Sequence, residues 1–293
     1  MDIVQALLEA GGIARASVLL RVVSRHELRR ALRDGCVVRT GRGRYSLPEV
    51  DQHRAAAARL SGALCLLSAA RHWGWGVKLP PERAQILVPR GRNVTRARRA
   101  GVDLRWGSVT SEELAAGVTS KVHTVLDCAR LLPFDAALAV VDSALRDKVT
   151  KTELLLACAR VPRRGRDRAY RVIEKGDKRA ANAFESVVRA ILEDVAGANF
   201  EPQVWVGTLG RADLVDREHR VVVEADSFEF HADSASLNRD MERYNAFLCE
   251  GHLVLRFGWR HAMFEQDYVR ATVTALIAPQ GRSVHWCPRC DAA

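Results

Sequence analysis

A chain of 293 residues exceeds the usual length of one domain, and apolar residues at 48% supply material for more than one core. No apolar run approaches the ~20 residues that cross a bilayer, and the opening MDIVQALLEAGG lacks the basic-then-apolar layout of a secretory signal. Disorder and a membrane partner are thereby excluded, and a cytoplasmic protein is expected. The net charge of +10 favours a polyanion such as nucleic acid, because neutralised phosphates release counterions. Seven cysteines are an odd number, five of them inside apolar segments, which predicts small buried hydrophobes and no disulfide framework.

Three short helical patterns open the chain: Ile3, Leu7 and Leu8 on the first, Val18 and Leu19 on the second, Leu28, Ala31 and Leu32 on the third. Ser24 ahead of RHELRRALRDG, with Glu27 three residues on, is a capping-box sequence, and Gly35 supplies a left-handed stop. The polar face of the third helix carries Arg25, His26, Arg29, Arg30 and Arg33. Two candidate strands, CVVRT and RYSL, follow around Gly41, Arg42 and Gly43. Residues 1–50 therefore read as a winged helix-turn-helix, whose arginine helix can enter the major groove while Arg39, Arg42 and Arg44 meet phosphates. A basic helix that is only solvated, or packed on the C-terminal half, is the alternative. Residues 1–50, with SAARHWGW and TVLDCARLLP further on, resemble the AbiEi-type antitoxins. That resemblance implies a transcriptional autoregulator with a cognate protein partner.

Residues 51–160 alternate helical patterns (Ala55 to Trp73, Val122 to Leu132, Ala136 to Leu145, Thr152 to Ala159) with the strand-like AQILVP and VDLRW, and read as an α/β connector domain. Trp73 and Trp75 are expected in the core, and His72 and His123 lack ligand partners at metal spacing, so structural roles are expected for all four. Residues 161–179, with RRGRDRAYR, read as a basic linker.

From residue 180 the order is helix, three strands, helix, strand, helix. The helix ANAFESVVRAILEDV carries an apolar stripe with Glu185 beside it, and QVWVG, RADLVD and RVVVEADSF read as an antiparallel meander. Glu224 and Asp226 alternate to one face of the third strand, and a tight connection brings Asp213 alongside. Three crowded carboxylates cost free energy unless a hard cation such as Mg2+ or Mn2+ compensates, and such a cation suits phosphodiester hydrolysis. His231 is a candidate general base, and Arg239 and Arg243 stand at i and i+4 where they can clamp phosphate.

The segments FEPQVWVG, RADLVD, VVVEADSFEFH, LNRDMERYNAFLCEG and HLVLRF resemble, in that order, the Vsr-like endonucleases of the PD-(D/E)XK superfamily, over about residues 180–278. The resemblance implies a restriction-endonuclease-like mixed sheet flanked by helices. It assigns metal ligation to Asp213 and Glu224, and supporting roles to Glu185, Gln203, Asp226, His231, Arg239 and Asp240. Two positions depart from the pattern: Asp226 stands where the wider superfamily has lysine, and Ser227 where glycine is frequent. Residues 279–293 form a tail with Cys287 and Cys290 at C-x-x-C spacing; a Zn2+ site there would need two more ligands, and no second pair stands nearby.

The sequence thus predicts an α/β multidomain chain acting as a metal-dependent endonuclease, with DNA as the leading substrate. A transcriptional repressor or antitoxin with a non-catalytic nuclease-like domain is the alternative, and an RNA-processing toxin is a third reading.

Overall fold

The computed structural model describes residues 2–9, 13–41, 43–207, 210–226 and 234–278, in two compact units, Met1–Lys178 and Arg179–Ala293. Among the described residues it is a mixed α/β multidomain structure with three sheets. Among the described residues no helix is long and apolar enough to cross a membrane.

The first unit begins with α1 (Ile3–Glu9), β1 (Ile13–Arg15), α2 (Ala16–Leu19), α3 (Arg25–Arg33), β2 (Val38–Gly41) and β3 (Arg44–Ser46). The capping box forms as its sequence predicts: Glu27 N–H donates to Ser24 Oγ (3.2 Å), and Ser24 N–H donates to the Glu27 carboxylate (2.6 Å). Such a cap contributes about 1 kcal/mol. Ile3, Leu7, Leu19, Leu28, Ala31 and Val37 close one small core. Two features differ from the sequence reading. Val18 is exposed, because α2 is a single turn and Leu19 takes the inward position. A third strand, β1, pairs antiparallel with β3 to give the order β1-β3-β2.

The unit continues with α4 (Pro48–Leu60), β4 (Ala63–Leu64), α5 (Leu66–His72), β5 (Ala84–Pro89), β6 (Val102–Gly107) and α6 (Ser111–Ala116). The single helix expected from Ala55 to Trp73 is broken: Ser61 adopts a left-handed φ of 45°, and the chain then enters β4. Gly62 permits this, since a Cβ there would lie 2.7 Å from Ile86 Cγ2 and 2.8 Å from the Leu87 carbonyl oxygen. The sheet order is β4-β5-β6, antiparallel then parallel.

Four helices complete the unit: α7 (Lys121–Leu131), α8 (Phe134–Arg146), α9 (Lys151–Cys158) and α10 (Arg166–Lys175). The segment expected as a linker is therefore largely helix. Arg163, Arg164, Arg168 and Arg171 are exposed and Arg166 is half-buried with its Nε donating to the Val161 carbonyl (3.0 Å), but Ala169, Val172 and Ile173 are fully buried, and α10 packs on α7, α8 and α9. Of the cysteines, Cys65, Cys128 and Cys158 are buried as expected, whereas Cys36 and Cys249 are exposed.

The second unit comprises α11 (Ala183–Leu192), β7 (Phe200–Val206), β8 (Gly210–Asp216), β9 (Val221–Asp226), α12 (Ser234–Cys249), β10 (Leu253–Gly258), α13 (Trp259–Phe264) and α14 (Gln266–Ile277). Its sheet runs β10-β9-β8-β7. The expected antiparallel meander β7-β8-β9 is present, and β10 joins parallel to β9 after the α12 crossover. All ten residues of α11 are buried, and the helix packs on α13 and α14.

Candidate active site

The site arises where β8 parts from β9. The two strands are in register from Asp216 opposite Val221 to Leu214 opposite Val223, and there the pairing stops. Side chains replace the ladder. The Ala225 N–H donates to Asp213 Oδ2 (3.0 Å), and the Asp213 N–H donates to Glu224 Oε1 (3.3 Å). Two carboxylates thus occupy the fork between the strands, satisfying main-chain donors that would otherwise be orphaned.

Across β8, Gln203 binds the fork to α11. Its Nε2 donates to both Asp213 Oδ1 (3.0 Å) and Glu185 Oε2 (2.8 Å). Gln203 holds a left-handed φ of 57° inside a strand, a conformation that costs a non-glycine residue on the order of 1 kcal/mol. Glu185 lies in the first turn of α11, buried, where the helix dipole favours a carboxylate. It accepts the Ala181 N–H (2.7 Å) and Asn182 Nδ2 (3.0 Å), while Asn182 caps the helix by accepting the Glu185 N–H (2.9 Å).

The electrostatics follow from burial. Glu224 is 2% exposed, and burial pushes its carboxyl up to about 8, with the neighbouring Asp213 charge adding and the Arg243 guanidinium opposing. Burial raises Asp213 as well, against the Ala225 hydrogen bond and Arg243. Arg243 of α12 places Nη2 2.9 Å from Glu224 Oε2. Arg256 of β10 pairs with Asp226. Tyr244 lies between these cations, its ring centroid 5.3 Å from the Arg243 guanidinium carbon and 4.3 Å from that of Arg256.

The sequence-predicted residues are therefore gathered in part. Asp213, Glu224, Glu185 and Gln203 form one connected network. Asp226 is buried and pairs with Arg256, while its charge adds to the upward push on Asp213 and Glu224; among the described residues no three or more His, Cys, Asp or Glu side chains are arranged to hold a metal. Arg243 points to an acid of the site, where the sequence suggested a clamp on phosphate. Arg239 and Asp240 lie on α12, with their side chains outside the description; His231, Ser227, Cys287, Cys290 and Arg42 fall outside the described residues altogether. Sequence reasoning missed Arg256 and Tyr244. The available signal was an arginine inside the otherwise apolar strand LVLRFG.

In the first unit, Arg25, His26, Arg29, Arg30 and Arg33 are all exposed on α3, and Arg30 has an acid nearby, Asp34 at 3.5 Å on the same surface. Arg44 lies in β3, its side chain outside the description. Trp75 is buried and its Nε1 donates to Asp147 (2.9 Å), and Trp73 Nε1 donates to the Thr119 carbonyl (3.1 Å). His123 lies between two carboxylates, Nδ1 2.8 Å from Glu113 and Nε2 3.3 Å from Asp127.

No family model matches the chain. The uncharacterized proteins MT2308 and Rv2248 of Mycobacterium tuberculosis are each 32% identical to it over 132 residues, 43% of this chain and 49% of theirs. The chain thus spans about half the length of the curated relatives it matches. Among solved structures, the RV2827C protein from Mycobacterium tuberculosis is similar at a TM-score of 0.35 and 14% identity, covering 64% of this chain and 78% of that one.

Proposed function

We propose that the second unit is a metal-dependent nuclease of restriction-endonuclease-like fold, acting on DNA, and that residues 1–50 are a winged helix-turn-helix that supplies DNA affinity. The observation that carries the nuclease reading is the strand fork holding Asp213 and Glu224 together, buried and mutually repelling. The fork's donor set, hard carboxylate oxygens in need of positive charge, fits Mg2+ or Mn2+. When bound, such an ion polarises a phosphodiester and lowers the pKa of water beside it. Asp213 and Glu224 would hold it. Gln203 fixes the Asp213 carboxylate, Glu185 anchors Gln203, and Arg243, released from Glu224, is within the site to bind a phosphate oxygen. His231 remains the proposed base. For the winged helix, the support is a capped α3 that presents five exposed basic residues next to a small three-stranded sheet.

A second reading, a repressor or antitoxin whose nuclease-like unit is a scaffold, is favoured by the pairing of Arg243 with Glu224 and of Arg256 with Asp226, which neutralises acids without any ion. The test is cleavage of double-stranded, single-stranded and branched DNA and of RNA, with Mg2+, Mn2+ or EDTA, by the full chain and by Asp213→Asn and Glu224→Gln. Cleavage that needs the cation and both acids supports the nuclease. Salt-sensitive DNA binding with no cleavage of any substrate supports the scaffold.

A further inference from the structure

The first unit contains a cleft of about 660 Å3, walled by the end of β6, by α7 and by the segment after α9. Its volume lies within the ~300–1,000 Å3 typical of small-molecule sites. Five cations line it, Arg90, Arg105, His123, Arg130 and Arg160, against two carboxylates, Glu113 and Asp127. Both carboxylates are already engaged. Glu113 accepts the Ser120 N–H (2.8 Å) and the Thr110 N–H (3.1 Å) and faces His123, while Asp127 pairs with His123 and Arg130 (3.5 Å). The surplus positive charge is therefore carried by the arginines.

Two of those arginines are only partly neutralised: Arg105 meets surface Asp103 at 3.7 Å, and Arg130 shares Asp127 with His123 and donates Nη2 to the Arg164 carbonyl (3.2 Å). The wall therefore keeps a surplus of positive charge, which favours an anion in the cleft. A phosphate presents several acceptor oxygens and the matching charge. The wall also carries apolar side chains, Leu126, Leu131 and Trp106 among them, the last 42% exposed and held in place by its Nε1 bond to the Arg92 carbonyl (2.9 Å). An indole face beside a cationic wall suits a planar base attached to a phosphate.

We propose that this cleft binds a nucleotide through a terminal phosphomonoester received by Arg105 and Arg130, with its base against Trp106. The phosphomonoester belongs either to a free mononucleotide or to the 5′ end of a short single strand. Titration calorimetry on the full chain tests this with AMP, adenosine, inorganic phosphate, and 5′-phosphorylated and 5′-hydroxyl thymidine tetranucleotides. AMP is expected to bind at least tenfold more tightly than adenosine or phosphate. Arg105→Met and Arg130→Met should each weaken AMP by about tenfold or more, and Arg105→Lys should recover part of the loss. Arg105 is half-exposed and pairs with surface Asp103 (3.7 Å), so its variants report on binding even if Arg130→Met misfolds. Preference for the phosphorylated tetranucleotide over AMP identifies a strand end as the source, and the reverse a free nucleotide; either sustains the proposal. Adenosine or phosphate binding as tightly as AMP, or AMP affinity unchanged in both methionine variants, overturns it.

Discussion

His123→Gln should flatten the pH dependence of first-unit stability above neutrality. In the folded chain burial lowers the basicity of His123, but its hydrogen bonds and charge attraction to Asp127 and Glu113 outweigh that effect and raise its pKa to about 9 from 6.5. A group raised on folding contributes stability that is complete below the unfolded pKa and lost as pH rises through the folded one. The difference corresponds to about 3 kcal/mol as an upper bound, present at pH 6 and gone by pH 9.5. The structural cause is specific. Neutral imidazole keeps one N–H for Glu113 at 2.8 Å but then turns a lone pair toward Asp127 Oδ2 at 3.3 Å. Because the chain has two units, global unfolding is a poor measure; hydrogen exchange of peptides from α7 reports the local free energy. The wild type minus His123→Gln difference should shrink by about 2–3 kcal/mol between pH 6 and 9.5. A difference that stays constant across that range would mean that the imidazole is neutral in the fold, and the reasoning fails.

Removing one acid of the strand fork should stabilise the second unit in EDTA, since Asp213 and Glu224 repel each other in a buried site; Glu224→Gln should slow exchange in β8 and β9, and slower exchange on adding Mg2+ should be confined to the wild type. Equal response of both proteins to Mg2+ would remove Glu224 from the ligand set. Ser24→Ala, which deletes the Oγ acceptor of the capping box, should cost about 1 kcal/mol and fray the start of α3, seen as faster exchange of its first-turn amides. Replacing Arg29, Arg30 and Arg33 with alanine should reduce the log–log salt slope of DNA binding by about 1 for each phosphate that is no longer neutralised, while leaving cleavage at saturating DNA in place; an unchanged slope would identify α3 as a protein-binding or merely solvated surface.

What the sequence made legible was local. Ser24 and Glu27 are three residues apart, and the box they predict depends on nothing outside one helical turn. The alternation in RADLVD and VVVEAD likewise specifies strands whose turn leaves them antiparallel neighbours. What stayed hidden needed a distant partner. β1 is three residues long and exists because β3 pairs with it. The arginine run around residue 166 reads as a hinge until α7, α8 and α9 supply a surface for Ala169, Val172 and Ile173. In the site, Asp213 and Glu224 could be read from strand spacing, but a register that ends at Leu214, and the side-chain bonds that replace it, could not.

The departure at Asp226 illustrates how such a gap matters to function. Read along one strand, an acid where the resembled superfamily carries lysine removes a cation from the site. Read across the sheet, the parallel pairing of β10 with β9 sets Arg256 opposite Glu224 and Gly258 opposite Asp226, so the guanidinium reaches Asp226 from the next strand. Tyr244 covers that guanidinium at 4.3 Å, holding it beside the fork. On the nuclease reading the positive charge has therefore moved by one strand, with Asp226 acting to position Arg256. His231 then keeps the proposed role of base alone, and the two assignments separate experimentally: Asp226→Asn should loosen Arg256 and lower affinity for the phosphodiester, whereas His231→Ala should lower turnover by about 100-fold with affinity unchanged. Loss of turnover alone in Asp226→Asn, with substrate affinity intact, would return Asp226 to the catalytic acids.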